Sequence, residues 1–458
     1  MNVLLLSAVF GVVMLFGGLF FSSAKAVKNL ALLSLLILVL VNVAEMRGWT
    51  LLHINTEGFL KFDQYGLLLS TILITSTLIY VWLSADEMIK VGQHFAEYLS
   101  LLFFIIAGIV LVLSFQSLLI LFLGIEIISI PLYILTGSDK RNLKSNEAAL
   151  KYFLMGSFST GLLLMGVALL FGVFGTFSTA MGIAGATLKS PLLIAGMLLL
   201  FFAMAFKVSA APFHFWTPDV YDGSPTVFTS FMATIVKVAV FASFIKLFES
   251  VFIAQIDKWR FWVTVIIALT LLIGNITAVF QQSVKRMMAY SSIAQAGFML
   301  FALYGLNTIG KEGIFIYAAS YCLANIGIFA VLTKMSDYTF DGFNGLATKK
   351  PGLALSLTIF FLSLAGIPLT GGFLGKLYML KSAMEISNSF WLILFAVLMA
   401  AVSVYYYFRV IQAMYFKSAE NADAPAVSKS FCFSLFALAA VIIVLGLFPD
   451  LLIKYLYI

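Results

Sequence analysis

LLLFFAMAFKVSAAPFHF, residues 198–215, carries Lys207 in the middle of an apolar run and Pro212 shortly after it. A charged side chain at the centre of a bilayer costs about 2.5–3.5 kcal/mol on insertion scales. A proline removes a helix hydrogen bond, which a membrane helix tolerates only where protein or water replaces the lost partner. The stretch therefore predicts an interrupted membrane helix that contains a hydrated, proton-handling site.

The composition of the whole chain is that of a membrane protein. Hydrophobic residues make up 62% of it, charged residues 10%, and the mean hydropathy is +1.09. A soluble protein of this length would carry far more charge. Cys322 and Cys432 are far apart, and His53, His94 and His214 are scattered, so neither a disulfide framework, a haem site nor a metal cluster is predicted. The net charge of +7 is interpreted as a matter of membrane topology, not of nucleic-acid binding.

Apolar runs long enough to cross a bilayer recur along the chain, and at about 20 residues per crossing they number about fourteen. The chain is therefore predicted to be an all-α polytopic membrane protein. The first run, residues 3–21, is interpreted as a retained span because no basic residue precedes it. The distribution of lysine and arginine, richest in SDKRNLKSNEAALK at 138–151, favours an N-terminus on the outer side.

A second interrupted span is predicted at residues 360–380, FFLSLAGIPLTGGFLGKLYML, which contains Pro368 and the pair Gly371-Gly372. Paired interruptions of this kind in two halves of a chain are typical of inverted-repeat transporters. The predicted organisation has two inverted five-helix repeats with broken helices 7 and 12. Its parts are an N-terminal region of helices 1–3 (1–96), a first repeat (97–248), a second repeat (260–417) and a C-terminal helix 14 (430–458).

Four ionisable side chains fall deep inside predicted spans, where charge is costly unless it is paired or hydrated. They are Glu126 in the fifth span, Lys207 in the seventh, Lys237 in the eighth and Lys376 in the twelfth. One such residue could instead fix helix packing, or reach the membrane surface from a helix end. Four in one chain, two of them beside interrupted helices, favour a proton-transfer path. His214 is a tentative relay, because a structural hydrogen bond would explain it equally well.

The eighth span adds Thr226, Ser230 and Thr234 to Lys237 at helical spacing. At helical spacing these four side chains share one face. The pattern thus predicts a polar stripe that leads to the lysine, and Tyr317 and Tyr321 are further candidates to hold connecting waters.

Glu126 and Lys207 are the predicted switch pair, Lys237 the central relay and Lys376 the exit or terminal donor. Removal from water favours the neutral form of an amine, whereas a nearby carboxylate favours its charged form. Opening such a pair from about 5 to about 10 Å weakens the attraction by roughly 1.7 kcal/mol at an effective dielectric constant of about 20. Pair separation therefore biases proton release, and changes in hydration must supply the rest.

Several stretches together resemble the antiporter-like membrane subunits of respiratory complex I, the bacterial NADH-quinone oxidoreductase. The resemblance runs from about residue 97 to 417, and the run PFHFWTPDVY is its most specific part. Lys376 favours the N type of subunit over the M type, and the L type is disfavoured because no long lateral helix follows the last span. The matching stretches are GIEIISIPLYIL at 124–135, KYFLMGSFSTG at 151–161, FKVSAAPFHFWTPDVYDGSPT at 206–226, KRMMAYSSIAQAGF at 285–298 and LAGIPLTGGFLGKLYML at 364–380.

The resemblance implies a fourteen-helix fold and proton-path residues at Glu126, Lys207, Lys237 and Lys376. It also implies that this chain holds no cofactor itself. NADH, FMN, iron–sulfur clusters and most of the quinone site would belong to other subunits. M-type and small K-type subunits would be its neighbours in a bacterial inner membrane. Gln295 stands where many relatives have histidine, which puts a relay role at that position in doubt.

Two alternatives to a proton-translocating complex I subunit stay open at this point. One is a subunit of a cation/proton antiporter or membrane-bound hydrogenase complex. The other is a stand-alone transporter of a small solute, which the predominance of buried cations disfavours.

Overall fold

The structure is a computed structural model that describes residues 1–20, 23–49, 55–180, 190–418 and 425–457; His53 lies outside these ranges. Helices dominate the described chain. The main helices, in chain order, are α1 (Asn2–Phe20), α2 (Ala24–Met46), α3 (Gln64–Val91), α4 (Phe95–Ser114), α5 (Leu118–Thr136), α6 (Leu143–Phe174), α7 (Pro191–Lys207), α8 (Trp216–Gly223), α9 (Thr226–Val251), α10 (Ile256–Val279), α11 (Val284–Gly305), α12 (Thr308–Leu332), α13 (Pro351–Ala365), α14 (Gly371–Met384), α15 (Phe390–Phe416) and α16 (Lys429–Leu447).

Within the described residues, twelve helices are long and apolar enough to cross a membrane. Two further apolar helices, α7 and α13, are shorter, and they begin the two spans that were predicted to be interrupted. The predicted all-α, multi-pass membrane fold is confirmed. The total of fourteen spans, the inverted repeats and the four sequence regions stay predictions.

The seventh predicted span is interrupted directly after Lys207. Helix α7 ends there, Ser209 adopts a left-handed backbone with φ 63°, and helical structure resumes only at Trp216. Pro212 forbids a regular helix across this segment because it has no N–H group and restricts the residue before it. The N–H of Ala211 instead donates to the Thr270 hydroxyl at 2.9 Å, so the broken backbone keeps a hydrogen-bond partner.

The twelfth predicted span is interrupted between Ala365 and Gly371. Gly366 terminates α13 with φ +84°, a backbone conformation that glycine adopts without strain. Thr370 then caps α14, since its hydroxyl accepts a hydrogen bond from the N–H of Phe373. Both interruptions thus have backbone causes that are visible in the sequence.

One compact unit comprises residues 1–208, 223–225 and 235–262. Close approaches at glycines set the spacing of its helices. A Cβ atom at Gly108 of α4 would lie 3.0 Å from the carbonyl oxygen of Gly124 in α5, and one at Gly166 of α6 would lie 3.0 Å from that of Gly196 in α7. Small residues allow membrane helices to approach closely. The backbones of α4 and α5, and of α6 and α7, are therefore in near contact.

The second compact unit comprises residues 209–222, 226–234 and 263–458. Helices α11 and α12 are almost entirely buried within it. A Cβ atom at Gly375 of α14 would lie 2.7 Å from the Cβ of Tyr317 in α12, so these two helices also pack closely. This contact places the beginning of α14, and with it Lys376, beside buried polar side chains of α12.

Candidate functional site

Glu126 and Lys207 form an ion pair inside the first unit. The Lys207 Nζ lies 3.8 Å from the Glu126 Oε1, and the two side chains are 9% and 22% exposed respectively. Glu126 is in the middle of α5, and Lys207 is the last residue of α7. The structure therefore brings together the predicted switch pair at the point where α7 is interrupted.

Two hydroxyl groups complete the surroundings of this pair. The Thr160 hydroxyl on α6 donates to the Glu126 Oε1 at 2.8 Å, and the Lys207 Nζ lies 3.4 Å from the same Thr160 oxygen. The Lys207 Nζ also donates to the Ser129 hydroxyl at 2.9 Å. Because polar groups away from water need such partners, the two hydroxyls stabilise these partly buried charges.

The positions of these side chains follow from the helices that carry them. Glu126, Ser129 and Tyr133 are three and four residues apart on α5, which places them along one face. Tyr133 packs against α6 where Gly156 leaves room, since a Cβ at Gly156 would lie only 2.2 Å from the Tyr133 Oη. Thr160 is one turn further along α6. Small residues therefore bring α6 to the carboxylate face of α5.

Lys237 is buried in α9, with 2% of its surface exposed. Directly before it, residues Met232–Val236 form a π-helical turn inside the otherwise α-helical span. Such turns are rare and are frequent at functional sites. The predicted polar stripe assumed an uninterrupted α-helix, and the wider turn changes the angular spacing between Thr234 and Lys237.

Lys376 is buried in the second unit, and its ammonium is held by neutral groups. Its Nζ donates to the carbonyl oxygen of Leu364 at 2.6 Å and lies 3.4 Å from that of Ala365. It also lies 4.4 Å from the centre of the Phe298 ring. The two carbonyls belong to the last turn of α13, where the negative end of the helix dipole favours a cation. The interruption of the twelfth span thus creates the binding position for the lysine.

Gln295 joins this position to a group of buried tyrosines. Its Nε2 donates to the carbonyl oxygen of Leu364 at 2.8 Å and to the Tyr407 hydroxyl at 3.0 Å. Its Oε1 accepts a hydrogen bond from the Tyr317 hydroxyl. The Tyr407 and Ser291 hydroxyls share a further hydrogen bond. The amide is a neutral junction of this network and cannot itself gain or lose a proton near neutral pH.

The remaining sequence candidates have less specific surroundings. His214 is buried in the interruption after α7, its ring stacks on Phe215, and its Nδ1 has no hydrogen-bond partner among the described residues. The Tyr321 hydroxyl donates to the carbonyl of Ala233 within the π-helical turn at 2.8 Å. Both positions fit a structural role as readily as a relay.

The sequence reasoning missed several groups of the site. Thr160, Ser129 and Tyr407 carry polar side chains in apolar helices, which is common, and the Leu364 carbonyl has no side-chain signal at all. Helical spacing could have linked Ser129 to Glu126, since they are three residues apart. The roles of Thr160, Tyr407 and the Leu364 carbonyl become visible only when the helices are packed together. In the part of the chain that the structure describes, no three His, Cys, Asp or Glu side chains are grouped so that they could hold a metal ion.

Comparison with known proteins relates this arrangement to a large family. A sequence model of the family described as "NADH:quinone oxidoreductase/Mrp antiporter, TM" matches residues 116–403. A protein of Cytophaga hutchinsonii named NADH-quinone oxidoreductase subunit N is 40% identical, with 99% of each chain covered. A protein of the same name from Trichlorobacter lovleyi is 37% identical, over 95% of this chain and 91% of its own length.

Solved structures give the same relationship in three dimensions. A chain of respiratory complex I from Thermus thermophilus superposes with a TM-score of 0.84 at 30% identity, covering 99% of this chain and 98% of that one. A chain of the Mrp complex from Dietzia superposes equally well, with a TM-score of 0.84 over 100% of this chain and 96% of that one. Its identity is 18%, so that likeness extends to the fold alone.

Proposed function

The chain belongs to the NADH:quinone oxidoreductase/Mrp antiporter transmembrane family, among the N subunits of NADH-quinone oxidoreductase, and we propose that its buried charges carry the protons. It is a proton-translocating subunit of the membrane arm, and electron transfer from NADH to quinone in other subunits drives it. The likeness to the Mrp complex is one of fold, so the antiporter alternative is not adopted. The proposed proton-transfer residues are Glu126, Lys207, Lys237 and Lys376, with His214 as an additional relay.

The observation that carries the proposal is the ion pair between Glu126 and Lys207 at 3.8 Å. At an effective dielectric constant of about 20, a pair at this distance attracts by roughly 4.4 kcal/mol, and at about 10 Å by roughly 1.7 kcal/mol. Opening the pair therefore removes about 2.7 kcal/mol of attraction that favours the charged lysine. A movement of α5 against α7 that is driven from elsewhere in the complex would then bias the lysine towards proton release.

The surroundings of the other two lysines support their proposed roles. Lys237 follows a π-helical turn, a backbone irregularity that is frequent at functional sites. Lys376 rests on the carbonyl end of α13, whose backbone oxygens hold the ammonium. In the proposed path Lys237 is the central relay, and Lys376 is the exit or terminal donor.

The rest of the complex supplies what this chain lacks. NADH, FMN, the iron–sulfur clusters and quinone are proposed to reside in other subunits, so this chain contributes translocation and no redox chemistry. M-type and K-type membrane subunits are its proposed neighbours. The proposed location is a bacterial inner membrane with the N-terminus on the outer side.

The test of the proposal is proton pumping by the assembled complex in proteoliposomes. Lys207→Ala and Glu126→Gln should each lower the rate of proton uptake driven by NADH oxidation, while the complex still assembles. Lys151→Ala is a matched control, because that lysine is partly exposed and pairs with Glu147 on the same helix. Unchanged turnover and an unchanged number of protons per electron in both site variants would refute the proposal.

A further inference from the structure

Thr160 lies between the two members of the partly buried ion pair. We infer that its hydroxyl is the proton relay between Lys207 and Glu126, an inference that rests on the proton-carrying role proposed for that pair. The threonine is on α6, whereas the two charged residues are on α7 and α5. The site is therefore built from three helices, with Thr160 of α6 beside the ion pair of α5 and α7.

The distances favour a transfer in two short steps over a direct one. The Lys207 Nζ and Glu126 Oε1 are 3.8 Å apart, beyond the range of about 2.7–3.2 Å for a nitrogen–oxygen hydrogen bond. By way of the Thr160 Oγ1, the separations are 3.4 and 2.8 Å. The second step is already a good hydrogen bond. The first needs to shorten by only a few tenths of an ångström.

The proton transfer conserves atoms and total charge, and it leaves Thr160 with an intact hydroxyl group. An N–H bond of the Lys207 ammonium breaks, and its proton binds the Thr160 oxygen. In the same event the O–H bond of Thr160 breaks, and that proton binds the Glu126 Oε1. The products are a neutral amine, a neutral carboxylic acid and a hydroxyl that has exchanged its hydrogen. No electron is gained or lost, so no oxidant or reductant is needed.

Ser129 is hydrogen-bonded differently and cannot replace the threonine. Its hydroxyl accepts from the Lys207 Nζ at 2.9 Å, but its own hydrogen is directed to the carbonyl oxygen of Ile125 at 2.7 Å. A hydroxyl has one hydrogen to give. Ser129 therefore holds the lysine in place, and the chain of donors that reaches the carboxylate runs through Thr160.

A second acceptor gives the relay a resting position. The Thr160 hydroxyl also lies 3.1 Å from the carbonyl oxygen of Gly156, one turn earlier on α6. When the hydroxyl points to that carbonyl, it is turned away from Glu126. The path between the two charged groups is then open or closed according to the rotation of one side-chain bond.

The test compares three substitutions of Thr160 in the assembled complex in proteoliposomes. Thr160→Val keeps the shape of the side chain and removes the hydroxyl, so we expect at least a threefold lower rate of NADH-driven proton pumping. Thr160→Ser keeps the hydroxyl and should retain most of the wild-type rate. Thr160→Ala differs from the serine variant by the hydroxyl alone and should behave as the valine variant.

Controls separate the relay from packing and from the proposed path itself. Ser159→Ala removes the neighbouring buried hydroxyl, which donates to the Ala203 carbonyl at 3.2 Å, and should leave pumping unchanged. In D2O the slowing should be larger for Thr160→Val than for wild type, since proton exchange becomes the slow step. Equal rates for the serine and alanine variants would overturn the relay. If Lys207→Ala and Glu126→Gln slow pumping in that case, the proposed path still stands, and only the threonine is excluded from it.

Discussion

The Nζ of Lys376 and the side-chain amide of Gln295 donate hydrogen bonds to the same carbonyl oxygen, that of Leu364, at 2.6 and 2.8 Å. This oxygen belongs to the last turn of α13, where backbone carbonyls have no partner further along the helix. The amide thus fixes the acceptor on which the ammonium rests. Gln295 is therefore connected to the lysine through this shared backbone oxygen.

Replacing Lys376 by methionine should separate function from stability. We expect slower proton pumping by the assembled complex, because the variant has no titratable group at this position. The loss of stability should be small, since the Leu364 oxygen still accepts a hydrogen bond from Gln295. Pumping in proteoliposomes and the thermal dissociation midpoint of the complex measure the two effects. Lys381→Met, an exposed position on the same helix, is the control and should change neither; wild-type pumping by Lys376→Met would contradict the prediction.

Replacing Gln295 by methionine should lower the stability of the complex as well as its pumping rate. The substitution leaves the buried Tyr317 hydroxyl without its acceptor, which costs about 1–3 kcal/mol, whereas the Tyr407 hydroxyl keeps its hydrogen bond to Ser291. We expect a lower thermal midpoint of the complex together with slower pumping. Gln281→Met is the matched control, because that amide, just beyond the end of α10, donates to the Thr277 carbonyl. Equal midpoints for the two variants would show that the junction contributes nothing to stability.

Gly156→Ala should disturb the carboxylate face of α5. The added methyl group would lie 2.2 Å from the Tyr133 hydroxyl, whereas at Gly161 on the same helix no atom lies within 4 Å. Overpacking of this kind costs about 1–3 kcal/mol. We expect Gly156→Ala to lower the thermal midpoint and Gly161→Ala to leave it unchanged or raise it slightly. Equal behaviour of the two alanine variants in a thermal scan would refute the close packing of α5 against α6.

Gly166→Ala should lengthen the contacts of the ion pair. A Cβ atom at this position meets the Gly196 carbonyl at 3.0 Å, so α6 and α7 must separate by a few tenths of an ångström. Because Thr160 and Lys207 are carried by these two helices, we expect slower pumping in the assembled complex. Gly172→Ala, also on α6 and with no atom within 4 Å, is the control. A rate equal to that of the control would show that the helix spacing does not govern the site.

The sequence predicted the fold well because its signals are local. Membrane spans are long apolar runs, and Pro212 and Pro368 mark where two of them are interrupted. The actual ends of the helices, at Lys207 and Ala365, precede these prolines, because the left-handed Ser209 and Gly366 end the helical conformation earlier. Those backbone angles depend on the packed structure as well as on the residue type.

Less of the candidate site than of the fold could be predicted from the sequence, and the reason is physical. A charge in an apolar run is conspicuous, so Glu126 and the three lysines are evident. A threonine or a backbone carbonyl is ordinary in any helix, and its role depends on which neighbour faces it. The partners Thr160 and Leu364 are set by the register of one helix against another, and no short-range pattern encodes that register.

The near contact of Gly166 with Gly196 has a consequence for how the site can change state. Neither residue carries a titratable, oxidisable or rotatable side chain, so this contact is the same whether a proton is present or absent. It therefore holds α6 and α7 at a fixed separation at one point along their length. A relative movement of these two helices must turn about this contact, which limits how far Thr160 and Lys207 can move apart.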